Sequence, residues 1–286
     1  MPVGPAALPN VIAVVIPTMP GREESLERTV SSYEERTDSS LRIIVIHDAE
    51  TCGSGWQSGA LLAQDSMADG DYLHFTADDI VPEFAWDVPA IEAVDRGYIP
   101  AGTVCVPDQA TLTWRGGTPF PFAPGIRELF YERDDSSPKN FPDWMPARMV
   151  PFEYGHQEYA SVPFCSMAQW KRIGPMIPLT YGTDKWFSYR ARAAGIPVVA
   201  RHGMRFFHYV CQAGRLPFAD WAHVEILTFD MVIAYPDYES GRLAPTEPHP
   251  LRGTREGHRR TRIWYEASVP GPYPWNEPDW NRASPL

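Results

Sequence analysis

Three short apolar runs, VIAVVIP (11–17), LRIIVIHD (41–48) and DYLHFTA (71–77), are separated by segments of helical spacing, and this alternation restricts the chain most. Each run is continuous, and the first two are rich in β-branched residues, as expected of strands buried on both faces. GREESLERTVSSYEERT (21–37) places Leu26, Val30 and Tyr33 on one face, with acids in its first turn. GWQSGALLAQDSMADG (55–70) reads as a second helix closed by a glycine. Such strand–helix alternation with short connections implies an α/β fold with a parallel sheet and right-handed crossovers. In these sheets ligands bind beyond the carboxyl ends of the strands. Three features fall there: PTMPGR (17–22), Asp48, and the adjacent acids Asp78 and Asp79 of FTADDIVP (75–82).

Two neighbouring carboxylates at the end of a core strand repel each other and are costly to desolvate. A cation, backbone N–H donors or solvent must offset them. A plain structural alternative is a helix N-cap, with a helix beginning between Val81 and Trp86.

Beyond residue 98 the regular pattern lapses. VPAIEAVDRG (88–97) is a helix, but residues 98–163 are rich in Pro, Gly and aromatics, as in a binding loop or lid. SMAQWKRIG (166–174) is a short helix, and TDKWFSYRARAAG (183–195) is a longer one ending at Gly195. IPVVAR and MRFFHYV are strands, and FADWAHVEILTFDMVIAY (218–235) is a helix with Trp221, Val224, Leu227 and Met231 on one face. From 236 onward Pro, Arg and Trp dominate, and an irregular tail is expected.

The 286 residues are 44% hydrophobic, enough to bury a full core. No apolar run approaches the roughly 20 residues of a membrane helix, and the first ten residues lack the basic region of a secretion signal. Four well-separated cysteines (Cys52, Cys105, Cys165, Cys211) fit reduced thiols and a cytoplasmic protein. A net charge of −11 argues against a general nucleic-acid-coating protein. Against that background, residues 251–263 carry five arginines and one glutamate.

Taken in order, VVIPT, ESLERTVSSY, RIIVIHD, GDYLHFTADDIVP, FCSMAQWKRIGPM, YGTDKWFSYRARAAGIPVV and RFFHYV resemble the GT-A fold glycosyltransferases, especially their large inverting family. The likeness covers roughly residues 11–235. It implies a glycosyltransferase domain over 10–235, with a nucleotide-sugar-binding half (10–97), an acceptor and catalytic half (98–235), and a tail over 236–286.

The resemblance also implies roles. Asp79 would ligate Mn²⁺ or Mg²⁺, with Asp78 near the ribose or a metal-bound water, and His208 would be the last metal ligand. A divalent ion there would neutralise the departing pyrophosphate. Pro17 and Thr18 would wrap the base, Arg22 would reach the ribose or a phosphate, Asp48 would approach the nucleobase, and Gln57 would face the nucleotide. Asp184, opening its helix, would be the base that takes the acceptor proton in an inverting transfer. The chain departs from the family pattern at Ala77 and Thr183, where acids are common. The bland alternatives are a turn for Asp48, a solvated arginine for Arg22, a dipole-favoured acid for Asp184 and a core histidine for His208.

Trp114, Arg115, Tyr154, Phe164 and Trp186 are candidates for the sugar or acceptor wall, or equally core aromatics. The expected donor is a nucleoside-diphosphate sugar, UDP favoured, and the acceptor is a hydroxyl of a glycan, protein or small molecule. The rival acceptor is a hydroxylated base in DNA, met by the arginine-rich stretch and by Trp264, Tyr265, Trp275 and Trp280. A sugar nucleotidyltransferase fits less well, because PTMPGREES is poor in Gly and Lys. A non-catalytic binder would not need Asp79, Asp184 and His208 together.

Overall fold

The computed structural model describes residues 10–105, 119–120, 123–127, 160–208, 226 and 228–268. β1 (Val11–Pro17), β2 (Ser40–Ile46) and β3 (Tyr72–Phe75) pair in parallel, with helices α1 (Glu23–Arg36) and α2 (Cys52–Gln64) as the crossovers. β8 (Phe164–Ser166) adds antiparallel to β3, so the sheet runs β2-β1-β3-β8. All three parallel strands therefore end on one edge, where PTMPGR, Asp48 and the Asp78–Asp79 pair lie.

β1 shows why its sequence is continuously apolar. Ala13 and Val15 face one core with Trp56, Ala60, Phe75, Trp170 and Phe187. Ile12, Val14 and Ile16 face the other, with Tyr33, Trp86, Phe164 and Phe206. The period of two puts alternate side chains on opposite faces, and both faces are covered. Each fully buried aliphatic side chain contributes about 1.5–3 kcal/mol.

A second sheet, rather than a continuation of the first, holds β4 (Ile80–Pro82), β9 (Val198–His208) and β5 (Ile99–Cys105), in the order β4-β9-β5. The expected strands IPVVAR and MRFFHYV are one strand, β9, whose partner register shifts between Ala101 and Thr103 of β5. β4 also disposes of the N-cap alternative. Ile80 to Pro82 is extended and pairs with Phe206 to His208, and helix α3 starts only at Asp87 (Asp87–Asp95).

α4 (Met167–Ile173) and α5 (Thr183–Ala193) follow β8, and Gly195 takes φ 73° just after α5. β6 (Pro119–Phe120) and β7 (Ala123–Arg127) pair as a small two-stranded element. Half of the expected helix 218–235 lies outside the described residues, and Phe229–Ala234 within it is a π-helical turn.

The expectation of an irregular tail holds for residues 240–254, which are turns and loop, and is corrected on either side of them. α6 (Tyr235–Glu239) and α7 (Arg255–Ser268) are helical. Tyr235, Tyr238, Leu243 and Leu251 pack into a third core with Ile177, Leu179 and Trp186. Among the described residues no helix is long and apolar enough to cross a membrane.

Candidate active site

The site begins where β1 and β3 end. Thr18 N–H donates to the Ile46 carbonyl (2.9 Å) and Thr76 N–H to the Val15 carbonyl (3.1 Å), so sheet bonding continues one residue past each strand. The chain then turns through Ala77 to Asp79, closed by Ile80 N–H on the Ala77 carbonyl at 3.2 Å. Ser25 and Thr29 of α1 donate their hydroxyls to the Asp78 carbonyl at 2.8 and 2.9 Å, fixing the turn against that helix.

Both carboxylates are inside, with Asp78 5% and Asp79 8% exposed. Their charge is met by Arg22. Its Nη2 lies 2.7 Å from Asp78 Oδ1 and 2.6 Å from Asp79 Oδ2, and its Nε donates to Asp78 Oδ2 at 2.9 Å. Thr18 Oγ1 donates to Asp78 Oδ2 at 2.6 Å. Burial pushes the Asp78 carboxyl above its ordinary range, against the pull of Thr18 and Arg22. Arg22 is thus not a solvated arginine at a helix start. It is the counter-charge of the strand-end pair.

Asp184 comes from α5. The loop before that helix is held from three directions. Gly53 N–H donates to the Leu179 carbonyl at 2.9 Å. Met176 N–H donates to Gln57 Oε1 at 2.9 Å. Thr180 and Tyr181 N–H both donate to Asp230 Oδ2, at 2.8 and 3.0 Å. Asp230 is fully buried and paired through Oδ1 with Arg252. Arg252 also donates to Thr180 Oγ1 at 3.2 Å.

These ties bring the N-terminus of α2 against that of α5. A side chain on Gly53 would have its Cβ 2.8 Å from Thr183 Oγ1. The Cys52 thiol, beside Gly53, is pushed up by burial first and then by the charges of Asp184, Asp79 and Asp78. One half-buried thiol therefore senses both the strand-end pair and the acid of α5. Asp184 itself accepts from Lys185 N–H at 2.8 Å, yet desolvation pushes its carboxyl up to about 6. A carboxylate tuned there is ionised at neutral pH and basic enough to take a proton.

The other expected residues divide. Pro17 ends β1 beside α2, and a Cβ on Gly55 would lie 2.5 Å from its own Cβ. Asp48 is exposed in a left-handed turn at φ 55°, a conformation Asp tolerates. The side-chain oxygen of Gln57 serves the scaffold through Met176. His208 is the β9 residue paired with Ile80, next to Asp79 in the chain, and its side chain lies outside the described residues. Phe164 and Trp186 are core residues, 0% and 3% exposed, rather than a sugar wall. Trp114, Arg115, Tyr154, Trp275 and Trp280 lie outside the described residues, as does the side chain of Tyr265. Four of the five arginines in 251–263 are engaged internally: Arg252 with Asp230, Arg259 and Arg260 with Glu256, and Arg262 with Glu266.

Cys52, Asp230 and Arg252 were not singled out from the sequence. Asp230 carried a signal, since an acid beside the apolar face of a predicted helix requires a buried partner. Arg252 was read only as part of a basic patch.

The donor atoms at Asp78 and Asp79 suit a hard divalent ion, which takes oxygen ligands and is often held by one or two carboxylates plus substrate phosphates. The pair already holds a positive group, the Arg22 guanidinium, which stands in for a cation there. Among the described residues no three His, Cys, Asp or Glu side chains converge as a ready-made cluster.

No family model matches the chain, and no curated protein matches it. It is similar in structure to the catalytic domain of Drosophila β1,4-galactosyltransferase 7 in complex with xylobiose, at 14% identity and TM-score 0.39, over 67% of this chain and 65% of that one. It is also similar to GalNAc-T7 with UDP, GalNAc and Mn²⁺, at 14% identity and TM-score 0.49, over 92% of this chain and 56% of that one. A third similar structure is S. aureus TarS, at 10% identity and TM-score 0.45, over 79% of this chain and 40% of that one. The likeness is one of fold. The chain spans less than two thirds of each of these proteins.

Proposed function

We propose that this protein is a GT-A type glycosyltransferase that moves a sugar from a nucleoside-diphosphate sugar to a hydroxyl acceptor. The observation that carries the reading is the meeting of two acidic centres at one sheet edge. Asp78 and Asp79 stand at the end of β3, and Asp184, with its carboxyl raised to about 6, stands across the N-terminus of α2.

In this reading the donor lies over the edge formed by Pro17, Thr18 and the Asp78–Asp79 turn, the position favoured by parallel sheets. Asp184 takes the proton of the acceptor hydroxyl as its oxygen attacks the anomeric carbon. One carboxylate acting from the face opposite the leaving group corresponds to inversion. Asp78 and Asp79 would hold a divalent ion, with His208 as the candidate third ligand. That ion, when bound, would supply neutralisation of charge on the leaving diphosphate. UDP is the favoured nucleotide, and Mn²⁺ or Mg²⁺ the favoured ion.

The test is a thermal-shift panel of UDP- and GDP-sugars with Mn²⁺, followed by donor turnover measured as released nucleoside diphosphate. A ligand that binds only the folded form raises its melting temperature. A bound donor should be turned over by the wild type and not by Asp184→Asn or Asp79→Ala. If no nucleotide sugar shifts the melting curve, the reading is wrong.

A further inference from the structure

We propose that Arg22 is an exchangeable guard of the Asp78–Asp79 pair. Its guanidinium holds the pair in the ligand-free protein and yields it to a divalent cation only when a nucleoside diphosphate arrives to receive the arginine. This rests on the donor reading above and goes further, because it sets how cation and nucleotide binding are coupled.

The first observation is occupancy. One nitrogen, Arg22 Nη2, lies 2.7 Å from Asp78 Oδ1 and 2.6 Å from Asp79 Oδ2, between the oxygens a cation would use. Nε is committed to Asp78 Oδ2 at 2.9 Å. A metal ion cannot take those oxygens while the fork remains in place, so the two cations compete.

The second is charge. The two carboxylates together carry more negative charge than the Arg22 guanidinium alone offsets. Asp184, which shares the electrostatic neighbourhood of Cys52 with them, adds more when ionised. A diphosphate approaching this arrangement is repelled. Exchanging guanidinium for a divalent ion neutralises the pair and frees the arginine's positive charge for the phosphates. Neither half of that exchange is favourable alone: without nucleotide the released arginine loses a bidentate partner, and without metal the carboxylates lose theirs.

The third is access. The Arg22 side chain is 36% exposed, against 6% for Asp78 and 10% for Asp79, so it covers the pair from the solvent side and can leave without opening the core. It stands at the start of α1, where it forms no side-chain cap, and follows Gly21 at φ 84°. Its backbone is thus at a loop–helix junction beside the donor edge.

Such coupling is reciprocal: nucleotide raises metal affinity by the factor by which metal raises nucleotide affinity. The test is Mn²⁺ binding followed by electron paramagnetic resonance, on wild type and Arg22→Gln, with and without UDP or GDP. Wild type alone should bind Mn²⁺ weakly and gain on the order of tenfold or more with nucleotide. Arg22→Gln alone should bind Mn²⁺ on the order of tenfold more tightly than wild type, and the gain from nucleotide should shrink. Arg22→Lys keeps the charge but loses the fork, should fall between the two, and serves if the glutamine variant does not fold. Equal Mn²⁺ affinity in wild type and both variants overturns the guard. Tighter Mn²⁺ binding by Arg22→Gln, with nucleotide silent in both proteins, upholds the competition and overturns the donor reading instead.

Discussion

Lowering the pH is the sharpest probe of Asp184. Its carboxyl is raised to about 6, chiefly because the α5 N-terminus and its surroundings take it out of water. For a group titrating there, the base form is about nine-tenths of the total at pH 7, half at pH 6 and roughly a tenth at pH 5. The kcat/KM for donor turnover should therefore be level above pH 7 and fall about tenfold per unit below pH 6. An ordinary aspartate near 4 would leave the rate unchanged over the same range. Asp184→Asn should cost roughly 10²–10⁴-fold at pH 7 and lose the acid limb. Stability should move the opposite way. A carboxyl raised on folding favours the folded state most below its unfolded value near 4, and that contribution disappears as pH rises through about 6. Asp184→Asn should thus unfold at a higher urea concentration than wild type at pH 7. A rate flat down to pH 5, or an Asn variant within tenfold of wild type, would refute the assignment.

Three further outcomes check the supports of the site. Asp230→Ala should destabilise by about 3–5 kcal/mol in urea melts, because it leaves Arg252 without its buried partner; the purified variant should lose kcat with donor KM little changed. Gly53→Ala should cost about 1–3 kcal/mol or more, since the new Cβ would sit 1.9 Å from the Ile177 carbonyl oxygen; an unchanged melting curve would show that α2 and the Ile177 loop are not in contact. The Cys52 thiol should react with iodoacetamide at pH 8 far more slowly than free cysteine, because burial and three carboxylates disfavour its thiolate; peptide mapping that finds it labelled at the free-thiol rate would remove it from the neighbourhood of Asp184, Asp79 and Asp78.

The parallel sheet and its carboxyl edge were legible because their signals are local. β1, β2 and β3 show themselves as unbroken apolar runs, and strand ends in a parallel sheet carry positional meaning. Asp78, Asp79 and Arg22 could each be singled out, but the pairing of Arg22 with the two acids could not. Arg22 lies 56 residues from Asp78 in sequence, and nothing in PTMPGR distinguishes an ion-pairing arginine from a solvated one. The 236–268 segment was misread for a related reason. Its prolines and arginines look like a solvated tail, whereas Tyr238, Leu251 and Arg252 find partners on the Ile177–Tyr181 loop and the π-helical turn. Arg259, Arg260 and Arg262 belong to the stretch offered as a possible polyanion contact, yet each lies three or four residues from a glutamate on one helix, the spacing of intrahelical pairs.

The arrangement divides labour between two kinds of restraint. The strand-end acids are held by the sheet itself, through backbone bonds that run past β1 and β3 and through two α1 hydroxyls on the Asp78 carbonyl. Asp184 has no such sheet behind it. Its position depends on a loop, and loops hold catalytic groups well only where their backbone polar groups find fixed partners. Here those partners come from both sides: Gly53 and Gln57 of α2, and the buried Asp230 backed by Arg252. The residues after 228 are therefore part of what sets the distance between Asp184 and the Asp78–Asp79 edge, from a loop and helix turn away. These contacts offset the desolvation of the buried aspartate at position 230: a neutral side chain there could not accept both amide protons and also anchor the guanidinium.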